Sequence, residues 1–247
     1  MQQRCRLLLW LAFFGLSCGA APAAVVVHEY ALRGSLNDNL GGTPLASLGG
    51  QVTALGYVFA ANQGLTLSSS LLNPTDFSLE LSFKFDATGG WRKIADFHDR
   101  ADDTGFYQLN GNLSFYPVTT AGAADFVADI NVHVVLTRDG AANTVTGYVN
   151  GQQRFSFNDT SPLATITAGN NKLTLFADDF ATGQGEATGG TVNYVRIFNG
   201  ALTAAEVTTL YSTGAPSAIP EPSTLTLLAA GLLVGIVSLR TRAKQRP

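Results

Sequence analysis

FSLELSFKF, residues 77–85, alternates without a break. Phe77, Leu79, Leu81, Phe83 and Phe85 fall on one side of an extended chain, and Ser78, Glu80, Ser82 and Lys84 on the other. A period of two sustained over nine residues marks a β-strand with one face on a core and the other facing water or a second layer. Similar runs recur around it, at residues 25–30, 93–97, 106–109, 132–138, 145–149, 155–157, 172–176 and 192–198, each bounded by Gly, Asn or Asp. Many short strands with turn residues between them predict an antiparallel sandwich.

The turns sharpen this reading. Asn110-Gly111 and Asn150-Gly151 each sit between two strand runs, where a type I′ hairpin needs positive φ at both central residues. They predict hairpins that join GFYQL to LSFYP and TGYV to QQRFSF. Asp139-Gly140 signals a further reversal. One short helix is expected, in ALTAAEVTTLY (residues 201–211): Thr203 caps it, Glu206 three residues on completes a capping box, and Leu202 and Val207 form a hydrophobic staple.

The ends of the chain differ from its body. Residues 1–23 have a basic start (Arg4, Arg6), an apolar run from Leu7 to Leu16 and a small-residue finish, which is the pattern of a secretory signal peptide. Both cysteines, Cys5 and Cys18, lie inside it, so residues 24–247 have no thiol chemistry and no disulfide. Residues 24–219 contain seventeen acidic and nine basic side chains, a net charge of −8, which argues against a nucleic-acid partner. Residues 214–219 read as a linker. Residues 222–239 then lack any charge and are followed by Arg240, Arg242, Lys244 and Arg246. As a helix this stretch is about 27 Å long, close to the hydrocarbon thickness of about 30 Å. The basic end would remain cytoplasmic and place the acidic body across the membrane.

IPEPSTLTLLAAGLLVGIVSLRTR (residues 219–242) resembles the PEP-CTERM sorting signal of Gram-negative bacteria, with its Pro-Glu-Pro triplet, short hydrophobic helix and Arg-rich end in order. The resemblance implies recognition of Pro220, Glu221 and Pro222 by an exosortase-type processing enzyme. It also implies tethering at the inner membrane through the helix over residues 222–239, and then delivery to the cell surface or an extracellular polysaccharide matrix.

The body resembles the laminin-G-like members of the concanavalin A-like lectin/glucanase superfamily. YALRGSLNDNLGG, FSLELSFKF, VHVVLTRDGAANTVTGYVNGQQ and the closing VNYVRIFNGALTAAEVTTLY carry the match. It implies an all-β, two-sheet jelly roll over residues 24–213 with one short C-terminal helix, the hydrophobic tail helix standing apart. Relatives commonly hold a structural calcium. The oxygen-bearing loop candidates for it are Asp38, the pair Asp178 and Asp179, Glu186, and Asn193, the last occupying a position where many relatives carry an acid. Asp and Asn also form turns without any ion, so both readings stay open, and no cofactor is required.

Catalysis has little support in the sequence. Residues 24–247 contain no Gly-x-Ser-x-Gly, and the three histidines, His28, His98 and His133, fall in strands or a loop with no adjoining nucleophile. The Glu-x-Asp-x-x-Glu strand pattern of the family's glycosidases is absent, because Glu80 has no carboxylate two residues away. The glycines of GQGEATGG miss a nucleotide-loop spacing. Sugar binding needs exposed aromatics beside polar groups. GGWRKIADFHDRADDTGFYQLNGN offers Trp91, Arg92, Asp99, Asp102 and Tyr107, with Tyr116 just beyond; packing of Trp91 over a sandwich edge is the other reading. The expectation is a non-enzymatic, exported surface protein that binds exopolysaccharide or another glycan. A structural or protein-binding matrix role is the alternative, and a glycoside hydrolase is more remote.

Overall fold

FSLELSFKF forms the central strand of an eight-stranded sheet, in a computed structural model that describes residues 24–68, 74–166 and 172–214. The expected signal peptide (1–23) and everything from residue 215 onward, including Pro220, Glu221, Pro222 and the apolar stretch 222–239, lie outside the described residues. Among the described residues no helix is long and apolar enough to cross a membrane.

The described chain runs β1 (Val25–Tyr30), β2 (Ala46–Ser47), β3 (Gln51–Thr53), β4 (Gly56–Phe59), β5 (Leu65–Leu67), β6 (Phe77–Phe85), β7 (Trp91–Asp96) and β8 (Gly105–Leu109). It continues through β9 (Asn112–Tyr116), β10 (Thr119–Ala124), β11 (Val132–Asp139), β12 (Thr144–Val149), β13 (Gln152–Asn158), β14 (Leu173–Leu175), β15 (Gly190–Asn199) and α1 (Ala204–Thr213). The first sheet has the order β13-β12-β11-β6-β15-β4-β3, with β1 also on β15, and the second β10-β9-β8-β7-β14-β5-β2. All these ladders are antiparallel. The two-sheet antiparallel sandwich expected from the alternation is present. The short strands β2 to β5 and β10 had no comparable run to announce them.

Register explains the core. Leu79 lies opposite Leu136 and Ile197, and Leu81 opposite Val134 and Val195. These rows pack with Ile94, Phe106, Leu113 and Phe115 of the second sheet in one buried cluster. Each such side chain contributes about 1.5–3 kcal/mol on burial, which suits a body with no disulfide to help it.

The polar face of β6 meets a second layer rather than water at its first half. Ser78 and Glu80 are fully buried, while Ser82 and Lys84 are half-buried. Ser78 donates to the Gly200 carbonyl and accepts the Leu202 N–H. Glu80 lies 2.9 Å from His133 Nε2, accepts from the Tyr194 hydroxyl at 3.2 Å and pairs with Arg196 at 3.2 Å. Helix α1 closes over this region through Val207, which, with Leu202 just ahead of the helix, packs with Val135, Tyr148 and Phe198. Its N-terminus carries the expected capping box between Thr203 and Glu206. His133 is thus part of a buried structural network. Both Asn-Gly turns form as expected, with φ of 48° and 87° at Asn110 and Gly111 and of 50° and 77° at Asn150 and Gly151.

Candidate functional site

The outer face of the second sheet carries the densest polar chemistry of the body. In β8 and β9, Phe106, Leu113 and Phe115 point into the core, so alternation turns Tyr107 and Ser114 outward. Lys93, Tyr107, Ser114 and Thr120 are consecutive partners across β7, β8, β9 and β10 and make one outward row.

Two loops fold over one end of this row. The first, residues 97–104, is wound around Asp96, whose Oδ1 accepts the His98 and Arg100 N–H groups at 3.0 and 2.7 Å, with Asp99 and Arg100 at positive φ. The second, residues 177–186, is held by Asn62, which accepts the Asp178 N–H and donates to the Gln184 carbonyl, both at 3.0 Å. The loops meet where the Phe180 N–H donates to the Arg100 carbonyl.

Their meeting brings carboxylates together. Asp103, Asp179 and Glu186 each place an oxygen within 4.8 Å of the others. Asp178 adjoins them: its Oδ2 accepts the Glu186 N–H at 2.8 Å and the Thr182 hydroxyl at 3.1 Å, while its buried Oδ1 has no partner. Lys93 reaches in from β7, 3.0 Å from Asp179 and 3.4 Å from Asp96, with all three side chains shielded from solvent. The Tyr107 hydroxyl donates to Asp103 at 3.0 Å and to Asp179 at 3.1 Å.

Burial and crowded charge shift these acids. Burial, then the charges of Asp103, Asp178 and Asp179, push the Glu186 carboxyl up to about 7. Burial raises Asp178 as well. Burial also acts to raise Asp179, but the Thr182 N–H, the Lys93 ammonium and the Tyr107 hydroxyl outweigh it and hold Asp179 at about 2. Tyr107 is raised by burial and by the neighbouring carboxylates. The donor set is all oxygen, which suits a hard cation such as calcium and not zinc or copper. Asp103, Asp179 and Glu186 offer donors of the kind that the calcium implied by the family takes, while Asp178, with its orphaned oxygen, is not one of the three acids whose oxygens converge.

Beside this cluster Trp91 packs edge-on against Tyr107 (5.4 Å, 77°) and Tyr116 (5.5 Å, 81°). Trp91, Tyr116, Ser114, Thr120 and the Pro117–Thr119 turn line a cavity of about 270 Å³. Trp91 is half-buried and Tyr116 remains 37% exposed, so the aromatic wall stays open to a ligand.

The expected site residues therefore separate into groups. Asp178, Asp179 and Glu186 converge, and Trp91 and Tyr107 adjoin them. Arg92 donates to the main-chain carbonyl of Trp91. Asp99 pairs with Lys172 at 2.8 Å, and Asp102 caps its own loop through His98 and the Thr104 N–H. Asp38 lies across the molecule against His28 at 2.7 Å and accepts the Glu29 and Leu40 N–H groups. Asn193, on β15 of the other sheet, donates to Ser82 and Asn131. Asp103, Asp96 and Lys93 were not singled out from the sequence. For Asp103 the available signal was its place beside Asp102, and for Lys93 its alternation with Ile94.

Comparison with solved structures gives the same fold. Domain 4 of a GH43 extracellular arabinanase from Geobacillus stearothermophilus, solved with arabinotriose, is 18% identical with a TM-score of 0.57, covering 76% of this chain and 98% of that one. The binding domain of botulinum neurotoxin serotype D is 11% identical with a TM-score of 0.57, covering 76% of this chain and 52% of that one. Trypanosoma rangeli sialidase is 15% identical with a TM-score of 0.54, covering 77% and 33%. Comparison with curated proteins gives no match. Residues 218–243 match the PEP-CTERM protein-sorting motif. With residues 59–208 matching the corresponding family model across most of the sandwich, the chain belongs to the concanavalin A-like lectin/glucanases superfamily.

Proposed function

We propose that this is an exported envelope protein, processed by an exosortase-type enzyme at its C-terminal signal, whose sandwich binds a glycan without cleaving it. The observation that carries the glycan reading is the Trp91–Tyr116 cavity. An indole and a phenol ring meet there beside the exposed Thr120 hydroxyl, which the buried Ser114 hydroxyl holds in place at 2.8 Å, the combination of stacking surface and hydrogen-bonding edge that a sugar ring needs. Its volume, about 270 Å³, is near the lower end of small-molecule sites at about 300 Å³, which suits one sugar unit of a longer chain. The arabinotriose seen on the arabinanase domain is consistent with this reading.

One observation favours hydrolysis as a second reading: Asp179 and Glu186 stand within 4.8 Å, near the separation of about 5–5.5 Å in retaining glycosidases. Against it, Asp179 is fully buried and both its oxygens are already engaged. It has no free face toward a sugar.

A glycan array probed with the full chain in detergent, wild type beside Trp91→Ala, tests the proposal. Binding that Trp91→Ala abolishes is the expected result. Silence across acidic and neutral glycans would overturn it in favour of a structural or protein-binding role, and release of reducing sugar from a polysaccharide panel would overturn it in favour of hydrolysis.

A further inference from the structure

We propose that the outer face of the first sheet holds a second binding site, for a carboxylate-bearing polysaccharide, built from Arg33, Lys84, Thr191, Asn131 and Asn193. It lies on the other sheet from the Trp91 cavity and shares no residue with it; only the choice of a polysaccharide among polyanions rests on the envelope role proposed above.

The strand pattern places it. Phe83, Phe85, Val192, Tyr57 and Phe59 point into the core, so alternation turns Lys84, Thr191 and Val58 outward. These three are consecutive partners across β6, β15 and β4. Helix α1 closes over the Ser78 and Glu80 end of this face and leaves the Lys84 end open. Together with Arg33, the Thr53–Leu55 turn, Asn131 and Asn193, the row lines a cavity of about 780 Å³, within the range of about 300–1,000 Å³ for ligand sites.

Charge selects an anion. The lining has two cations and no carboxylate, although residues 24–219 carry a net charge of −8. Among the described residues Arg33 is the one arginine whose side chain has no hydrogen bond or ion pair. Arg92 and Arg100 donate to main-chain carbonyls, and Arg138, Arg154 and Arg196 pair with carboxylates. The Arg33 main chain is nevertheless fixed, bridged to Thr53 with the Gly34 N–H donating to the Thr53 carbonyl at 2.9 Å. Lys84 meets only Asp129, at 3.2 Å, whose side chain is 67% exposed. Solvent screens such a pair, and the ammonium keeps two of its three donors for a ligand.

The remaining lining suits sugar. Asn193 donates to the Asn131 Oδ1 at 3.1 Å, which steadies both amides and leaves the Asn131 NH2 and the Asn193 Oδ1 without a partner among the described residues; the Thr191 hydroxyl has none either. Beside these donors and acceptors Val58 and Leu55 are 44% and 80% exposed. The Leu55 turn is held by the Thr53 hydroxyl, which accepts the Leu55 N–H and donates to the Gly56 carbonyl.

Spacing selects a polymer. Lys84 is on β6 and Arg33 lies beyond the edge strand β3, four strand spacings or roughly 19 Å apart at the backbone. A chain that repeats its carboxylate engages both cations, whereas a small anion engages one. An extended acidic peptide would draw affinity from main-chain pairing at a strand edge, and β6, β15 and β4 already spend theirs on one another.

Polygalacturonate is the probe, in biolayer interferometry with the full chain in detergent. Binding is expected at low salt and should fall steeply as salt is raised. Arg33→Gln and Lys84→Gln should each weaken it about fivefold or more, as loss of a charged hydrogen bond does, with unchanged melting temperatures. Asp129→Asn, which releases Lys84, should tighten it. Lys172→Gln removes a cation that pairs with Asp99 instead and should leave it unchanged. Neutral glycan binding lost in Trp91→Ala reports the other cavity, so either site can fail without the other. The proposal is overturned if polygalacturonate does not bind, if Lys172→Gln weakens binding as much as Arg33→Gln, or if polyglutamate or dextran sulfate competes as well as polygalacturonate itself, which would leave a general polyanion surface.

Discussion

The Lys93 ammonium lies 3.0 Å from the Asp179 carboxylate and 4.3 Å from the centre of the Tyr107 ring, and both charged side chains are wholly shielded from solvent. A buried ammonium is tolerated only with partners. Asp96 at 3.4 Å and the face of Tyr107 complete its surroundings. Lys93→Met would leave Asp96 and Asp179 buried with their counter-charge gone, and breaking a buried pair in this way costs about 3–5 kcal/mol. Urea denaturation of the variant should show a loss of that order. An unchanged midpoint would mean that the pair is not structural and that this end of the sheet is wetter than its packing indicates.

Trp91 should separate binding from folding. It touches Tyr107 and Tyr116 edge-on and is half-buried, outside the core cluster. Trp91→Ala is therefore expected to cost about 1–2 kcal/mol of stability, in the ordinary range for point variants, yet to lower glycan affinity about tenfold or more, as truncation of an aromatic anchor does. Parallel melting and binding curves check this. Equal losses in both would make Trp91 a packing residue.

The parts of this design visible in the sequence are those decided locally. FSLELSFKF declared its core face because all five inward residues are large and apolar. Asn110-Gly111 and Asn150-Gly151 declared their hairpins because the turn itself demands positive φ. Burial of Ser78 and Glu80 was not legible, since their covering groups, Tyr194, Arg196, Gly200 and Leu202, arrive more than a hundred residues later. The site shows the same limit. Asp178, Asp179 and Glu186 share one acidic loop and could be suspected together. Asp103 joins them from a different loop, and Lys93 does so only because β7 turns it away from the core. Asp99 and Asp102 looked equivalent to Asp103 in the string, but Lys172 and His98 claim them.

Asp38 predicts the acid limb of stability. Burial acts to raise its pKa, but the Glu29 and Leu40 N–H groups and His28 outweigh that and leave it lowered. A carboxyl lowered in the folded state adds stability that is fully present above its unfolded value of about 3.9 and is lost as pH falls through the folded value. Wild type should therefore lose stability below about pH 4 more steeply than Asp38→Asn, which is already weaker at pH 7. Melting temperatures measured from pH 7 down to pH 3 check this. Parallel curves for the two proteins would rule out Asp38 as a source of the acid sensitivity.

Gly64 tests whether the second acidic loop is placed by backbone contact. A Cβ there would overlap the Leu175 carbonyl oxygen and stand 2.9 Å from the Ala177 nitrogen, just where β14 hands the chain to Asp178 and Asp179. None of those atoms is a flexible side-chain end, so the strand exit itself must shift. Gly64→Ala should cost about 1–3 kcal/mol, as overpacking does, and should also disperse the carboxylates, so that Glu186, raised by burial and by the charges of Asp103, Asp178 and Asp179, falls back toward the ordinary carboxylate range. Gly183→Ala is the matched control. It lies in the same loop with φ +70° and nothing within 4 Å of an added Cβ, so it carries only the left-handed strain of about 1–2 kcal/mol and should keep the raised Glu186 titration. If carboxyl titration followed by NMR finds Glu186 as high in Gly64→Ala as in Gly183→Ala, the carboxylates are gathered by their own hydrogen bonds through Asn62 and Thr182 and not by the close approach of the two chain segments.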